Sequence, residues 1–220
     1  MPYSIREEKR SATKLSILQS LIQRIESQAL EDISIKDICK GANIAVATFF
    51  LYFPQKTSIL DYFIQLWSVE ISWRISGKLE SLPPIAIIED VFDYTGLRAT
   101  QKPELFAEVI SYLSKKREGK SLPPPSPLEL QFAFPDCAGI ESVEPKSLWA
   151  IFSQLLELAM EKGDIPKATD LQTAVFTLIS IFFSVPVLAK TSSSADVRQM
   201  YRKQLDLLWA GLADPGKRNG

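Results

Sequence analysis

The stretch that decides the fold is Ser34-Ile35-Lys36-Asp37-Ile38-Cys39-Lys40-Gly41-Ala42-Asn43-Ile44-Ala45-Val46-Ala47-Thr48-Phe49-Phe50-Leu51-Tyr52-Phe53. Ser34 and Asp37 stand at capping-box spacing, so the Ser34 hydroxyl can accept from the Asp37 amide while the Asp37 carboxylate reaches back. Ile33 and Ile38 form a hydrophobic staple over the same cap, and Ile35, Ile38, Cys39 and Ala42 then give a helix of about two turns. Gly41-Ala42-Asn43 is a turn signal, because Asn tolerates the left-handed backbone that Gly otherwise supplies. A short helix from Ala45 to about Phe53 follows at once. Upstream, Leu15, Leu18, Leu21, Ile22, Ile25 and Ala29 recur at helical spacing, which predicts an amphipathic helix over Ser11 to Ala29. Helix, capped short helix, Asn-containing turn and short helix is the order of a helix-turn-helix, whose second short helix enters the major groove.

Downstream, Leu60, Ile64, Trp67, Ile71 and Ile75 predict a helix from Lys56 to about Leu82, broken by Pro83-Pro84. Ile85 to Leu97 and Glu104 to Lys116 read as two more helices. The proline-rich segment Glu118 to Pro145 has no helical period and reads as a long connection, either a mobile surface insertion or a functional loop that caps a cavity. Pro145 then opens a helix carrying Leu148, Phe152, Leu155, Leu156 and Ala159 and ending at Gly163. Asp170 or Thr169 caps an apolar helix to Lys190, and Ser194 caps a last one with Val197, Tyr201, Leu205, Leu208 and Leu212 on one side. With no alternating strand pattern and no internal repeat, the chain is read as all-α. The domains expected are 1–56 (helix-turn-helix), 57–213 (helical effector-binding and dimerisation) and 214–220 (a disordered tail).

Composition narrows the function. The 220 residues include no His, which removes Ser-His-Asp and Cys-His catalysis and every His-containing zinc site. No phosphate loop, paired nucleophile and base, or metal-ligand spacing is present, so no enzyme, cofactor or metal is expected. Cys39 and Cys137 are too few for a disulfide framework, and the polar start Met1 to Arg10 lacks a secretory core, so the expected location is cytoplasmic. Net charge is −1, yet residues 1–60 carry eight basic side chains against six acidic ones. The uncharged run Leu171 to Ala189 has the length of a membrane span, but Gln172, Thr173, Thr177, Ser180, Ser184 and Pro186, without a basic cluster or aromatic belt at its flanks, favour a helix buried by protein and no membrane partner. A helix so apolar suggests a homodimer built from 171–190 and 194–213.

Across Leu15 to Leu60 the sequence resembles the tetracycline-repressor (TetR) family of transcription regulators. The matching residues are Ser34, Asp37, Ile38, Ala42, Asn43, Ile44, Thr48, Phe49, Phe50, Tyr52, Phe53 and Lys56. Three positions depart from the family pattern: Asn43 where Gly is usual, Ala45 where Ser or Thr would cap the helix for ~1 kcal/mol, and Phe50 where a Tyr hydroxyl touches phosphate. The resemblance implies a DNA-binding head, a dimer interface in the last two helices, an effector cavity among the middle helices, and repression.

The expected contacts to double-stranded DNA are Lys36, Thr48, Tyr52 and Lys56 on phosphates, Val46 and Ala47 on thymine methyls, and Phe50 on the same face. Arg6, Lys9, Arg10 and Lys14 are expected to add backbone contacts. The alternative is a helical ligand-binding or interaction protein whose apolar reading helix binds DNA weakly. Trp67, Phe92, Phe106, Tyr112, Trp149 and Phe152 are the candidate lining of a cavity for a small apolar or aromatic effector, against the simpler reading that they are core residues.

Overall fold

The computed structural model describes residues 3–116, 122–191 and 196–213, and the regular structure among them is entirely helical. The helices are α1 (Ile5–Ile25), α2 (Ile35–Gly41), α3 (Val46–Tyr52), α4 (Ser58–Ser76), α5 (Pro84–Gln101), α6 (Pro103–Lys115), α7 (Pro127–Ala133), α8 (Leu148–Lys162), α9 (Leu171–Lys190) and α10 (Val197–Ala213), with single 3₁₀ turns at Leu30–Asp32 and Ile140–Ser142. The Ser194 cap and the 214–220 tail lie outside the described residues. The chain forms two compact units, Met1–Trp73 with Glu104–Pro145, and Arg74–Pro103 with Lys146–Gly220.

Unit 1 is built on the helix-turn-helix. Its core joins Ile17, Leu18, Leu21 and Ile25 of α1, Ile38 of α2, Phe49 of α3, Phe53, and Ile59, Leu60, Tyr62 and Leu66 of α4 to Leu105 and Val109 of α6 and Leu130 of α7. Helices α6 and α7, which the sequence grouped with residues 57–213, thus share a core with the head. Helix α1 begins at Ile5 rather than Ser11, because Ser4 and Glu7 form a capping box and carry the helix through a charged first segment that apolar spacing cannot detect. It ends at Ile25, ahead of the expected Ala29, and α4 runs only from Ser58 to Ser76, stopping before Gly77.

The segment expected to be a featureless connection contains α7. Ser126 accepts from the Glu129 amide and Pro127 occupies the first turn, where its missing N–H is not needed. Helix α7 packs on α1, and its Glu129 meets Lys14 of α1 in an ion pair of 2.7 Å with side-chain exposures of 4% and 7%. The Lys14 ammonium also lies 4.2 Å from the centroid of the Tyr62 ring. Lys14 is therefore a buried structural cation, which corrects its assignment to DNA. Burial, and then the Glu129 charge, push the Tyr62 hydroxyl well above the usual tyrosine range.

Unit 2 holds α5, α8, α9 and α10 around an aromatic cluster. Phe92 and Phe152 stack with centroids 5.6 Å apart, and Phe182 and Tyr201 meet Phe92 edge-on at 5.6 and 5.0 Å. Pro186 lies inside α9 and has no N–H for the Phe182 carbonyl four residues earlier; the buried Tyr201 hydroxyl donates to that carbonyl at 2.7 Å instead. Gly96 lets α5 and α10 approach closely, since a Cβ there would lie 3.2 Å from the Arg198 Cα. Beside it, Asp93 receives hydrogen bonds from Arg198 and Arg202. Helix α8 starts at Leu148 under a Ser147 cap, not at Pro145, and ends as expected at Gly163 in the left-handed conformation (φ 81°). Helix α9 is capped by Asp170 and is long and apolar enough to cross a membrane, but seven of its residues, Ala174 to Ala189, are buried.

Candidate nucleic-acid interface

The head is assembled by local chemistry. At the start of α2 the Ser34 hydroxyl accepts from the Asp37 amide at 3.1 Å and also donates to the Asp37 carboxylate, which holds Asp37 below the usual carboxylate range. The Ser34 backbone amide adds a smaller contribution in the same direction, in the sense of the expected reach of Asp37 back to the backbone. Gly41 ends α2 against α1: a Cβ there would lie 2.2 Å from the Ser20 Oγ, which itself donates to the Ile38 carbonyl. Asn43 takes the left-handed turn (φ 52°), as its residue type implied. Ala45 stands at the N-cap of α3 without a side-chain hydrogen bond.

Phe49 and Phe53 anchor α3 in the core, with Phe53 edge-on to Tyr62 at 5.7 Å. The opposite face is open: Val46, Ala47, Phe50 and Leu51 are exposed, Phe50 at 52% and Leu51 at 80%, while Thr48 and Tyr52 are half-buried. Of the basic candidates, Lys36 on α2 is exposed, as are Arg6, Lys9 and Arg10 on α1. Lys56 is different. Its ammonium donates to the carbonyls of Glu31 and Ile33 at 3.0 and 2.6 Å, so it ties the end of the reading segment to the α1–α2 connection. The Glu108 carboxylate secures the same connection from α6 by accepting the Leu30 amide at 3.0 Å. Sequence reasoning missed Glu108, because its partner is a main-chain amide 78 residues away.

The six effector candidates divide between the units. In unit 1, Trp67 and Phe106 are buried and meet edge-on at 5.2 Å, while Tyr112 donates to Asp61 at 2.6 Å. In unit 2, Phe92 and Phe152 are fully buried in the aromatic cluster, and the partly exposed Trp149 packs on the exposed Phe176 at 4.9 Å. Each unit brings some of them into contact, but neither gathers all six around one cavity.

No family model matches the chain. It is 43% identical over 47 residues to the HTH-type transcriptional regulator EthR of Mycobacterium tuberculosis, a match spanning about a fifth of either protein, 21% of this chain and 22% of EthR. Solved structures match nearly end to end. FadR of Bacillus subtilis, in complex with stearoyl-CoA, aligns over 90% of this chain and 98% of its own at 15% identity with a TM-score of 0.68. FadR of Thermus thermophilus, a TetR-family transcriptional repressor in complex with lauroyl-CoA, aligns over 90% and 94% at 17% identity and 0.63. Ketosteroid transcriptional regulator KstR2 of M. tuberculosis aligns over 91% and 94% at 14% identity and 0.57. With its helix-turn-helix and its all-helical remainder, the chain has the fold of the TetR-family transcriptional regulators.

Proposed function

We propose that this protein is a cytoplasmic, homodimeric DNA-binding transcription regulator, a repressor released from a palindromic operator by a small apolar or aromatic effector. The observation that carries this is α3: buried Phe49 and Phe53 fix it, Val46, Ala47, Phe50 and Leu51 project from the head, and Thr48 and Tyr52 stand half-buried beside them. Two such helices, set in successive major grooves by a dimer axis, require half-sites about 34–36 Å apart or a multiple of that spacing. The exposed part of α3 carries no charge, so base contact would be apolar, to thymine methyls, while Lys36, Arg6, Lys9 and Arg10 supply the phosphate attraction.

The dimer reading is supported by apolar surface on unit 2. Phe176 and Leu188 of α9 are 61% and 54% exposed, and Leu207 of α10 is also exposed. A groove of ≈ 460 Å³ runs along Thr173, Thr177, Ile181, Leu207, Leu208 and Gly211. Phe182 belongs to the core of its own unit, so the dimer face is the opposite side of α9. For the effector, the acyl-CoA complexes of the FadR proteins suggest long-chain acyl thioesters as the first compounds to try.

The same uncharged α3 favours a second reading, an interaction protein with a weak DNA-binding head. Chromatography on random-sequence duplex separates them. Retention that falls steeply with salt supports the regulator, and passage without retention at low salt supports the alternative.

A further inference from the structure

Unit 1 contains a cleft of ≈ 710 Å³, within the size range of small-molecule sites, whose lining includes Leu30, Lys56, Asp61, Glu108, Tyr112 and Lys116. Asp61 is its fixed anchor: its side chain is 14% exposed, and one carboxylate oxygen accepts from the Tyr112 hydroxyl at 2.6 Å. The other oxygen receives the Lys116 ammonium at 2.6 Å, and that ammonium stands 5.8 Å from the centroid of the Tyr112 ring, within cation–π reach. A carboxylate beside an aromatic ring is the usual means of holding an organic ammonium, and here a lysine of the chain itself fills the position.

The occupant is exchangeable. Lys116 is 40% exposed, so its end of the pair is open to water and its ammonium can leave into solvent while the less exposed Asp61 keeps its Tyr112 hydrogen bond. The other charges of the cleft are engaged or, as with Glu31 and Lys115, exposed to solvent. Lys56 is held by two carbonyls, and Glu108 holds the Leu30 amide. Glu31, Asp61 and Glu108 balance Lys56, Lys115 and Lys116, so withdrawal of Lys116 leaves the lining with one net negative charge. A single positive charge restores the balance, while Ala29, Leu30 and Tyr112 line the cleft beside it.

We propose that this cleft is a binding site for an organic monocation, a primary ammonium with a small apolar body, and that Lys116 is a built-in competitor for it. The occupant would sit against Leu30 and Lys56, which flank the α2–α3 segment, and so would bear on the head. This reading does not depend on the core effector or on DNA binding.

The test is isothermal titration of the full chain with 2-phenylethylammonium, and with 3-phenylpropanoate as the oppositely charged probe. The ammonium should bind the wild type, and Lys116→Ala should tighten it two- to fivefold by removing the competitor. Asp61→Asn should weaken it at least tenfold with an unchanged circular dichroism spectrum. Because Lys116 is a surface residue, its variant folds regardless of the outcome at Asp61, and the sign of its effect decides the matter. Equal or tighter binding of the carboxylate, or no gain in ammonium affinity on Lys116→Ala, would overturn the proposal. Retention on DNA is measured separately, so failure here leaves the regulator reading standing.

Discussion

Tyr201→Phe isolates one hydroxyl. The ring keeps its edge-on contact with Phe92 at 5.0 Å, but the Phe182 carbonyl loses the Tyr201 donor in a turn of α9 where Pro186 supplies none. Removing one partner from a buried hydrogen bond costs about 1–3 kcal/mol, so the variant should unfold at correspondingly lower urea with an unchanged slope. Pro186→Ala restores an N–H one helical turn after Phe182. In that background the carbonyl has a main-chain donor, and Tyr201→Phe should cost about 1 kcal/mol less, a coupling that a double-mutant cycle reads directly. Urea melts of the four proteins, followed by circular dichroism, supply the cycle. Equal costs of Tyr201→Phe in both backgrounds would refute the claim that tyrosine compensates for proline.

Lys14→Met leaves the Glu129 carboxylate buried without its cation and should cost about 3–5 kcal/mol, whereas Lys14→Met with Glu129→Leu should recover most of that loss in thermal melts. Phe176→Glu charges the exposed side of α9 without touching the unit 2 core; light scattering should show a dimer of the 24.7 kDa chain becoming monomer, and a wild-type monomer at micromolar concentration would contradict the dimer. The Arg198 hydrogen bonds lower the pKa of Asp93, so its contribution to stability is present above the unfolded-state value of about 4 and is lost as pH falls through the lower folded-state value. Asp93→Asn should therefore lower the urea midpoint at pH 6 and narrow its gap to wild type as the pH is taken toward 3.

The helix-turn-helix was legible because its determinants are local. The Ser34 cap, the Asn43 turn and the Phe49 and Phe53 anchors each act within a few residues. The same local grammar also marks what apolar spacing passed over: Ser4 with Glu7 opens the first turns of α1, and Ser126-Pro127 with Glu129 opens α7 inside the proline-rich segment. Long-range pairings left no such trace. Lys14 reads as a DNA-facing charge until Glu129, 115 residues away, is placed against it, and the two carbonyls that Lys56 holds leave no mark in the sequence around it. The expected effector lining rests on ring size and on the family resemblance, and neither says which unit a ring belongs to.

As a regulator, this protein must place α3 in the major groove of DNA as one of a symmetric pair. The most direct test of that placement is titration of a duplex selected from a random pool, and of a scrambled duplex, at two salt concentrations with wild type, Thr48→Ala and Val46→Ala. The selected site should be palindromic, affinity should fall linearly with salt on a logarithmic scale, Thr48→Ala should bind more weakly, and Val46→Ala should relax preference at one base pair. Wild-type behaviour of both variants, with binding abolished only by Arg6→Ala, would contradict the placement of α3 in the groove.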